Sequence, residues 1–234
     1  MVTKDRQIKP DIIDIEESIT NTKSFAKGIN FYKLVWIFTI GAILGFIVES
    51  LFCIAMLGHL ESRAGLIWGP FKPIYGFGAV LFTIVLYKIR HLNSFLIFLL
   101  TAVIGAVFEI VCSLFEEYVF GVSYWEYSDS FLNIDGRTNL FFAICWGILG
   151  LLFIKHIYPF ISRIIRKIPN KVGIPLTWII FVFLIIDITL TGCAIWRCVD
   201  RNYDIDPDNL FELFLDKHYP DEFMSALFPN MTIL

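Results

Sequence analysis

Five long apolar stretches, separated by shorter polar segments, dominate the pattern of this sequence. They cover residues 34–57, 73–87, 94–115, 140–158 and 176–196. A helix that crosses a bilayer needs about 20 mostly apolar residues, and only the second stretch falls clearly short of that length. The pattern therefore predicts an all-α, polytopic membrane bundle of about five transmembrane helices, with a partly irregular Gly/Pro-rich segment before the second helix.

The segments between these stretches alternate in charge. Lys and Arg gather before the first stretch, between the second and third, and between the fourth and fifth, whereas the segment after the third stretch and the tail are acidic and the segment after the first is nearly neutral. Cytoplasmic loops carry the excess of Lys and Arg. We therefore predict a cytoplasmic N-terminal segment (1–30), a transmembrane domain (31–198) and an extracytoplasmic amphipathic C-terminal tail (199–234). Residues 1–30 lack the apolar core of a signal peptide, so the first helix would remain as an anchor.

The composition agrees with a membrane protein and excludes other classes. Hydrophobic residues make up 57% of the 234 residues and charged residues 18%, against about 45–50% and about 25% in an average globular chain. The formal net charge of −3 leaves no basic surplus for nucleic-acid phosphates, so the expected partner is the lipid bilayer. The five Cys are an odd number in mostly apolar runs, which indicates buried free thiols.

Three acidic residues lie inside the predicted spans, where a charge costs about 2.5–3.5 kcal/mol on insertion scales. They are Glu49, Glu109 and Asp187. Such residues usually face a bundle interior, so each is either a partnered structural acid or part of a functional site. Glu116 follows Glu109 by about two helical turns on the same face, and a solvated helix end is the alternative for it.

Two of these acids follow similar runs of small residues. The run 40–42 (Ile-Gly-Ala) before Glu49 recurs at 104–106 before Glu109, as in a duplicated hairpin with parallel halves. The glycines are eight and four residues from their glutamates, so chance similarity is the alternative. Glycines also recur every fourth residue before Glu49, a spacing that lets another helix approach closely.

The segment before the second span is rich in Gly, Pro and aromatic residues. Residues 69–78 contain three Gly and two Pro, which cannot form a regular helix throughout. One interpretation is a turn whose Trp68 and Tyr75 belong to an interfacial aromatic belt. The other is a re-entrant wall, because irregular backbone at membrane depth is tolerated only when it is buried in protein or lines a cavity.

Aromatic and amide side chains also crowd the segment between the third and fourth spans. Trp125, Tyr127 and Asn133 could form a binding lip, and an interfacial anchor with a simple turn is the alternative. The same segment carries Arg137, and the segment after the first span carries Arg63. Both segments are predicted outside, so we expect the two arginines to pair with the buried glutamates of the first and third spans.

The sequence thus offers candidate residues for a substrate-binding or other functional site on the outer side. They are Glu49, Arg63, Trp68, Tyr75, Glu109, Glu116, Trp125, Tyr127, Asn133, Arg137 and Asp187. No catalytic residue can be assigned. The sequence contains no Walker lysine loop, no nucleophile elbow and no structural-zinc spacing, so we expect no cofactor and no metal. Hydrolysis of ATP would then require a separate subunit.

Several spaced motifs complete the pattern. They are Arg63-x-Gly65-x-x-x-Gly69-Pro70-x-x-Pro73-Ile74-Tyr75-Gly76-x-Gly78, Trp125-x-Tyr127-Ser128, Asn133-x-x-Gly136-Arg137, Trp146-Gly147 with Pro159, Asp216-Lys217-His218-Tyr219-Pro220-Asp221 and Phe228-Pro229-Asn230-Met231. In this combination the chain resembles the putative ABC-transporter type IV family, the CmpB-like integral membrane proteins of Gram-positive bacteria, over about residues 31–231. It departs from the family's usual Asn at Ser62 and from its usual Asp at Glu126.

The resemblance implies a bacterial plasma-membrane protein with a role in transport. The first interpretation is a permease component that works with a separate ATPase, or with an ion gradient acting through the buried acids, and that could form a homo-oligomer. A second is a membrane enzyme acting on lipid or cell-envelope precursors, with a carboxylate as base and an Arg as phosphate clamp. A third is a non-catalytic sensor or accessory subunit.

Overall fold

The protein is described by a computed structural model, in which residues 24–234 are placed. Most of the predicted N-terminal segment (1–30) therefore lies outside the described residues. The membrane-embedded helices are α1 (Phe31–Leu57), α2 (Pro73–Ile89), α3 (Ser94–Phe115), α4 (Leu140–Leu152), α5 (Tyr158–Lys167) and α6 (Asn170–Asn202). A π-helical turn (Glu116–Phe120) extends α3, and another (Phe153–Ile157) joins α4 to α5.

Four of the resulting apolar helices are long enough to cross a membrane, and they cover residues 31–57, 94–120, 140–167 and 170–202. Helix α2 is apolar but has only 17 residues. The predicted all-α membrane bundle is confirmed, including its short second helix. The last helix is longer than the predicted stretch 176–196, because α6 begins at Asn170 and accommodates Pro175 near its start.

The chain outside these helices forms a small cap, which comprises α7 (Leu210–His218), α8 (Asp221–Leu227) and a two-stranded sheet. Strand β1 (Val122–Ser123) pairs antiparallel with β2 (Thr232–Ile233). The apolar core of the cap includes Leu215, Met224 and Phe228, which pack with residues of α6 near its C-terminal end. The tail is thus folded onto the end of α6.

Two helical hairpins with matching contacts form the centre of the bundle. In the first hairpin, Gly76 of α2 lies against the ring and carbonyl oxygen of Phe38 in α1. In the second, Gly147 lies against the ring and carbonyl oxygen of Phe98 in α3. The two hairpins therefore use the same glycine-on-phenylalanine contact at the same place.

The match continues along both helices of each hairpin and defines an internal repeat. Pairs of equivalent residues are Ile37 and Ile97, Phe38 and Phe98, Ala42 and Ala102, Gly45 and Gly105, Glu49 and Glu109, Tyr75 and Trp146, Gly76 and Gly147, Phe82 and Phe153, and Tyr87 and Tyr158. In this register both glutamates follow their glycine by one helical turn. The register that we predicted from residues 40–42 and 104–106 is wrong, although the duplication itself is supported.

Equivalent residues of the two hairpins also touch each other. The rings of Phe82 and Phe153 have centroids 6.1 Å apart, and those of Tyr87 and Tyr158 are 6.2 Å apart. Contacts between equivalent positions are what a two-fold relation between two units produces. Each hairpin has the same order of elements, with the glutamate on its first helix and the aromatic ring on its second. The two halves therefore resemble the parallel repeats found in some transporters.

The segment between α1 and α2 (residues 58–72) folds back along α1. Its last residue, Lys72, donates its backbone N–H to the Ala42 carbonyl oxygen at 3.0 Å. Ala42 precedes the end of α1 by 15 residues, which corresponds to about 22 Å of helix. The segment is therefore re-entrant, and α2 is short because it starts part-way down the bundle. We call residues 58–72 the re-entrant segment.

Candidate functional site

Glu49 lies at the meeting point of α1, α2 and the re-entrant segment. The Lys72 ammonium forms a salt bridge with the Glu49 carboxylate, and both side chains are about three-quarters buried. The Tyr75 side chain lies close to Glu49. Gly45, one turn before Glu49, leaves the space into which the Tyr75 ring packs. We call this group the Glu49 pocket.

Glu109 occupies the equivalent position in the second hairpin and is only 6% exposed. One carboxylate oxygen accepts a hydrogen bond from the Thr138 hydroxyl at 2.7 Å, and the other accepts one from the Tyr127 hydroxyl at 3.5 Å. The Trp146 ring packs over Gly105, one turn before Glu109. Within residues 24–234, no basic side chain pairs with Glu109. We call this group the Glu109 pocket.

Tyr127 comes from the segment between α3 and α4 and covers the Glu109 pocket. Its ring stacks on Phe142 with centroids 4.8 Å apart. Burial, followed by the nearby Glu109 charge, raises the pKa of Tyr127, so its hydroxyl stays protonated and can donate. The 3.5 Å distance to Glu109 is at the outer limit for a hydrogen bond, so this bond is weak and easily replaced.

The structure does not form the predicted pairs between loop arginines and buried glutamates. Arg63 donates to Glu61 at 3.1 Å and to the Cys53 sulfur at 3.3 Å. The prediction that Arg63 neutralises Glu49 is therefore wrong, and the reason is that Lys72 reaches Glu49 through the re-entrant segment. Sequence order hid this partner, because the chain must reverse before Lys72 can approach.

Arg137 likewise pairs outside the Glu109 pocket. It forms salt bridges with Glu117 at 2.5 Å and with Asp135 at 3.1 Å, and it donates to the Ser113 hydroxyl at 3.0 Å. The hydrogen bond to Glu117 is the main reason that the pKa of Arg137 is raised, so the guanidinium stays charged. Arg137 thus attaches the segment between α3 and α4 to the end of α3. Its predicted pairing with Glu109 is wrong.

Trp125 and Asn133, the other predicted residues of the segment between α3 and α4, belong to a turn. The Trp125 indole N–H donates to the Arg137 carbonyl oxygen at 2.9 Å. The Asn133 amide donates to two backbone carbonyls and accepts from the Gly136 N–H at 3.1 Å. The structural alternative that we gave for Asn133 therefore describes it. Glu116 is half-buried and lies within electrostatic range of Lys72, beside the Glu49 pocket.

Asp187 holds the re-entrant segment against the middle of α6. One of its carboxylate oxygens accepts the Trp68 backbone N–H at 3.1 Å, and the Thr191 hydroxyl oxygen accepts the Ile67 N–H at 3.0 Å. Asp187 is fully buried, and its second oxygen has no hydrogen-bond partner. Trp68 therefore lies at mid-helix depth, with its ring stacked on Phe183. Of the two interpretations given for Trp68, this position favours the re-entrant wall over the interfacial belt.

Comparisons with known proteins can now be set beside this geometry. The model of the family described as Putative ABC-transporter type IV matches residues 36–192, which include the re-entrant segment and both pockets. The chain belongs to this family. No curated protein and no solved structure matches the chain. The protein is therefore an ABC_trans_CmpB family member that is embedded in the bilayer through its apolar helices.

Sequence reasoning missed three side chains of the two pockets in this family member. In the sequence, Lys72 is only one of the charges between the first two apolar stretches. Thr138 and Trp146 are not among the residues predicted to lie beside Glu109. The available signal for Lys72 was a lone cation directly before an apolar helix. For Trp146, the signal was its place beside a glycine, which matches Tyr75 beside Gly76 in the first hairpin.

Sequence reasoning also missed an ion-pair network that attaches the cap of the family member to α6. Arg197, only 3% exposed, binds both carboxylate oxygens of Asp216 at 2.8 and 3.0 Å. Arg201 pairs with Asp216 at 2.5 Å and with Asp221 at 2.6 Å. Cys198, between the two arginines, is a free thiol, as are the other four Cys. The network is structural, since every charge in it is paired.

Proposed function

We propose that this chain is the membrane-embedded permease component of a transporter and that a separate ATPase supplies the energy. Membership of a transporter-type family supports a role in transport. The chain itself lacks a Walker lysine loop, so ATP would be hydrolysed by another subunit. On this proposal the two acidic pockets form the substrate site.

The observation that carries the proposal is the re-entrant segment with its salt bridge. Non-helical backbone at membrane depth is tolerated where it is buried in protein or lines a cavity. Here such backbone brings Lys72 to Glu49 between α1 and α2, beside a second buried acid at the equivalent position of α3. A bundle that served only as an anchor would not need these charges at this depth.

The proposal includes a location and an orientation. The alternating charges support an N-terminus in the cytoplasm and the cap outside, and the family supports insertion in a bacterial plasma membrane. Both pockets then lie in the outer half of the bundle, beneath the segments that join α1 to α2 and α3 to α4. The substrate would meet the site from the extracytoplasmic side.

The test is ATP hydrolysis by the complex that this chain forms in its native membrane. The tagged full chain is purified in mild detergent, and Mg-ATP hydrolysis is measured before and after reconstitution into liposomes. We expect hydrolysis to co-purify with the chain, and Lys72→Met to change its rate while the ATPase remains bound. Asp208→Asn, at an exposed acid of the cap, is the matched control and should leave the rate unchanged.

Two outcomes would overturn the permease proposal. One is a stable chain, purified from its native membrane, that never carries ATPase activity. The other is a deletion strain with an altered lipid or cell-envelope profile and an enzyme activity that the purified chain alone reproduces.

A further inference from the structure

The two pockets differ in one respect, although the internal repeat makes them equivalent. In the Glu49 pocket, the carboxylate pairs with the ammonium of Lys72, three residues before Tyr75. In the Glu109 pocket, the residue three positions before the equivalent Trp146 is Ala143. Among the described residues, the Glu49 pocket thus contains an ammonium group of its own and the Glu109 pocket does not.

The Glu109 carboxylate is consequently the less well compensated of the two. Its hydrogen-bond partners are the hydroxyl groups of Thr138 and Tyr127, which stabilise a carboxylate but do not neutralise it. A buried charge without an opposite charge is expensive, and a salt bridge with an ammonium is the solution that the first pocket uses. The second pocket retains the acid, the glycine and the aromatic ring of that solution.

We propose that the Glu109 pocket binds the ammonium group of a small organic cation, in the place that Lys72 fills in the Glu49 pocket. That this cation is also the transported substrate rests on the proposed function. Binding itself is a property of the chain and requires neither transport nor ATP.

The walls of the pocket suit such a ligand. The Trp146 ring packs edge-on against Phe108 with centroids 6.1 Å apart, and the Tyr127 ring stacks on Phe142. Aromatic faces attract ammonium groups, and a carboxylate among them supplies the charged acceptor. The Tyr127 hydroxyl covers Glu109 through a 3.5 Å hydrogen bond, which an incoming ammonium would have to displace.

The probe is n-propylammonium, which reproduces the atoms that Lys72→Ala would remove. The purified full chain in detergent is heated with increasing n-propylammonium chloride, and its unfolding midpoint is recorded. Equal concentrations of potassium chloride and of 1-propanol serve as the charge and the shape controls. We expect a saturable rise of the midpoint with n-propylammonium that neither control produces.

Three variants locate the bound ammonium. Glu109→Gln should raise the half-saturating concentration about tenfold or more, because a charged acceptor is lost. Ala143→Lys should abolish the response, because it places a tethered ammonium in the second pocket as Lys72 does in the first. Glu222→Gln, at an exposed acid of α8, should leave the response unchanged.

Lys72→Ala provides the converse test. It removes the ammonium group from the Glu49 pocket, so n-propylammonium should restore much of the stability that the variant loses. The rise in the unfolding midpoint should be larger for the variant than for the wild type. This rescue is read from the same unfolding midpoints, and it needs only that the variant can be purified.

A wild-type response that matches potassium chloride or 1-propanol overturns the proposal, whichever variants fold. The proposal also fails if Glu109→Gln responds at the wild-type concentration. A midpoint that does not respond to n-propylammonium, and whose dependence on pH is reduced in Glu109→Gln, would show that a proton neutralises Glu109 and would overturn the proposal as well. Binding without any associated ATPase would instead count against the proposed permease function alone.

Discussion

Two glycines, Gly45 and Gly105, leave space for the aromatic rings that pack beside the buried glutamates Glu49 and Glu109. Gly45 and Gly105 each lie one turn before a glutamate, and an aromatic ring occupies the space above each glycine. A Cβ at either position would overlap that ring. The ring, held flat against its helix, then reaches the carboxylate one turn later. Packing and polar chemistry are thus specified by the same residues.

We predict opposite effects for two alanine substitutions in α2. A Cβ at Gly76 would lie 2.8 Å from the Phe38 ring and 2.9 Å from its carbonyl oxygen, whereas one at Gly78 would have its nearest neighbour at 3.5 Å. Gly76→Ala should therefore lower the free energy of unfolding by about 1–3 kcal/mol through overpacking. Gly78→Ala should leave it unchanged or raise it by up to about 1 kcal/mol. Denaturation in detergent compares the two, and equal effects would contradict the glycine contacts described above.

The salt bridge between Lys72 and Glu49 should be strongly non-additive. Lys72→Met leaves a carboxylate without its cation and should cost about 3 kcal/mol of stability. Adding Glu49→Gln removes that uncompensated charge, so the double variant should be more stable than Lys72→Met alone. A double-mutant cycle of unfolding free energies measures the coupling. Simple additivity would mean that the two charges do not interact.

At this scale the sequence could reveal the buried acids but not their partners. Glu49, Glu109 and Asp187 stand out because charges are rare in apolar stretches. Their partners come from other elements, and for Asp187 the donor is a backbone N–H, which leaves no signal in the sequence. The pairing of Lys72 with Glu49 depends on a chain reversal that residue types alone do not determine.

At the scale of elements, the re-entrant segment connects the first hairpin to α6. Its backbone N–H groups bind Asp187 and Thr191, and its aromatic rings contact Phe183 one turn earlier on α6. Composition indicated irregular backbone here, because Gly and Pro interrupt a helix. The choice between an interfacial turn and a re-entrant path required the structure, since both satisfy the composition.

We predict that docking of the re-entrant segment requires an acceptor at position 187 but not a charge. Asp187→Asn keeps an oxygen for the Trp68 N–H and removes a buried charge, so the protein should be at least as stable as the wild type. Asp187→Ala removes the acceptor and should free the segment. Hydrogen exchange of residues 62–72, followed by mass spectrometry, should increase in Asp187→Ala only. Equal protection in both variants would show that this hydrogen bond does not hold the segment.

The attachment of the cap to α6 should fail in acid. Burial alone would raise the pKa of Asp216, but hydrogen bonds and charge from Arg197 and Arg201 outweigh it and lower the pKa below the usual 3.8. A lowered folded pKa contributes stability above the unfolded value, and that contribution is lost as pH falls through the folded one. We therefore expect the cap to stay protected from proteolysis at pH 5–7 and to open below about pH 4.

The matched variant for this prediction is Asp216→Asn. It removes the charge at every pH, so its cap should be cleaved faster than the wild type at neutral pH and should show a weaker dependence on acid. An acid-tolerant protease with a broad specificity provides the readout. Identical cleavage profiles for the two proteins would show that Asp216 does not attach the cap.

The whole molecule is two similar hairpins and a long helix that carries the cap. Hydropathy and composition were sufficient to predict a helical membrane bundle, because both are averaged over 20 or so residues. They were not sufficient to show that the hairpins are equivalent. The contacts that the two hairpins share join positions such as Phe38 and Gly76, which are distant in sequence and are common residue types in apolar helices.

Reporter fusions test the orientation of the whole chain. We predict cytoplasmic signals for fusions at residues 92 and 168, and extracytoplasmic signals for fusions at 130 and 234. The physical reason is the excess of Lys and Arg in the flanks assigned to the cytoplasm. A reporter pair that is active on opposite sides of the membrane gives each fusion an internal control. A cytoplasmic signal at 130 or 234 would place both pockets in the inner half of the bundle and refute the orientation.

The pairing of β1 with β2 has a consequence for the order in which the protein is made. Val122 pairs with Ile233, so the partner of β1 is synthesised more than a hundred residues later. At 5–20 residues per second, translation of that interval takes roughly 5–20 s. During this time α4, α5 and α6 must be inserted while β1 has no partner. On the predicted orientation, β2 must cross the membrane before it can pair with β1, and a slow or interrupted crossing would leave both hairpins inserted beneath an open cap.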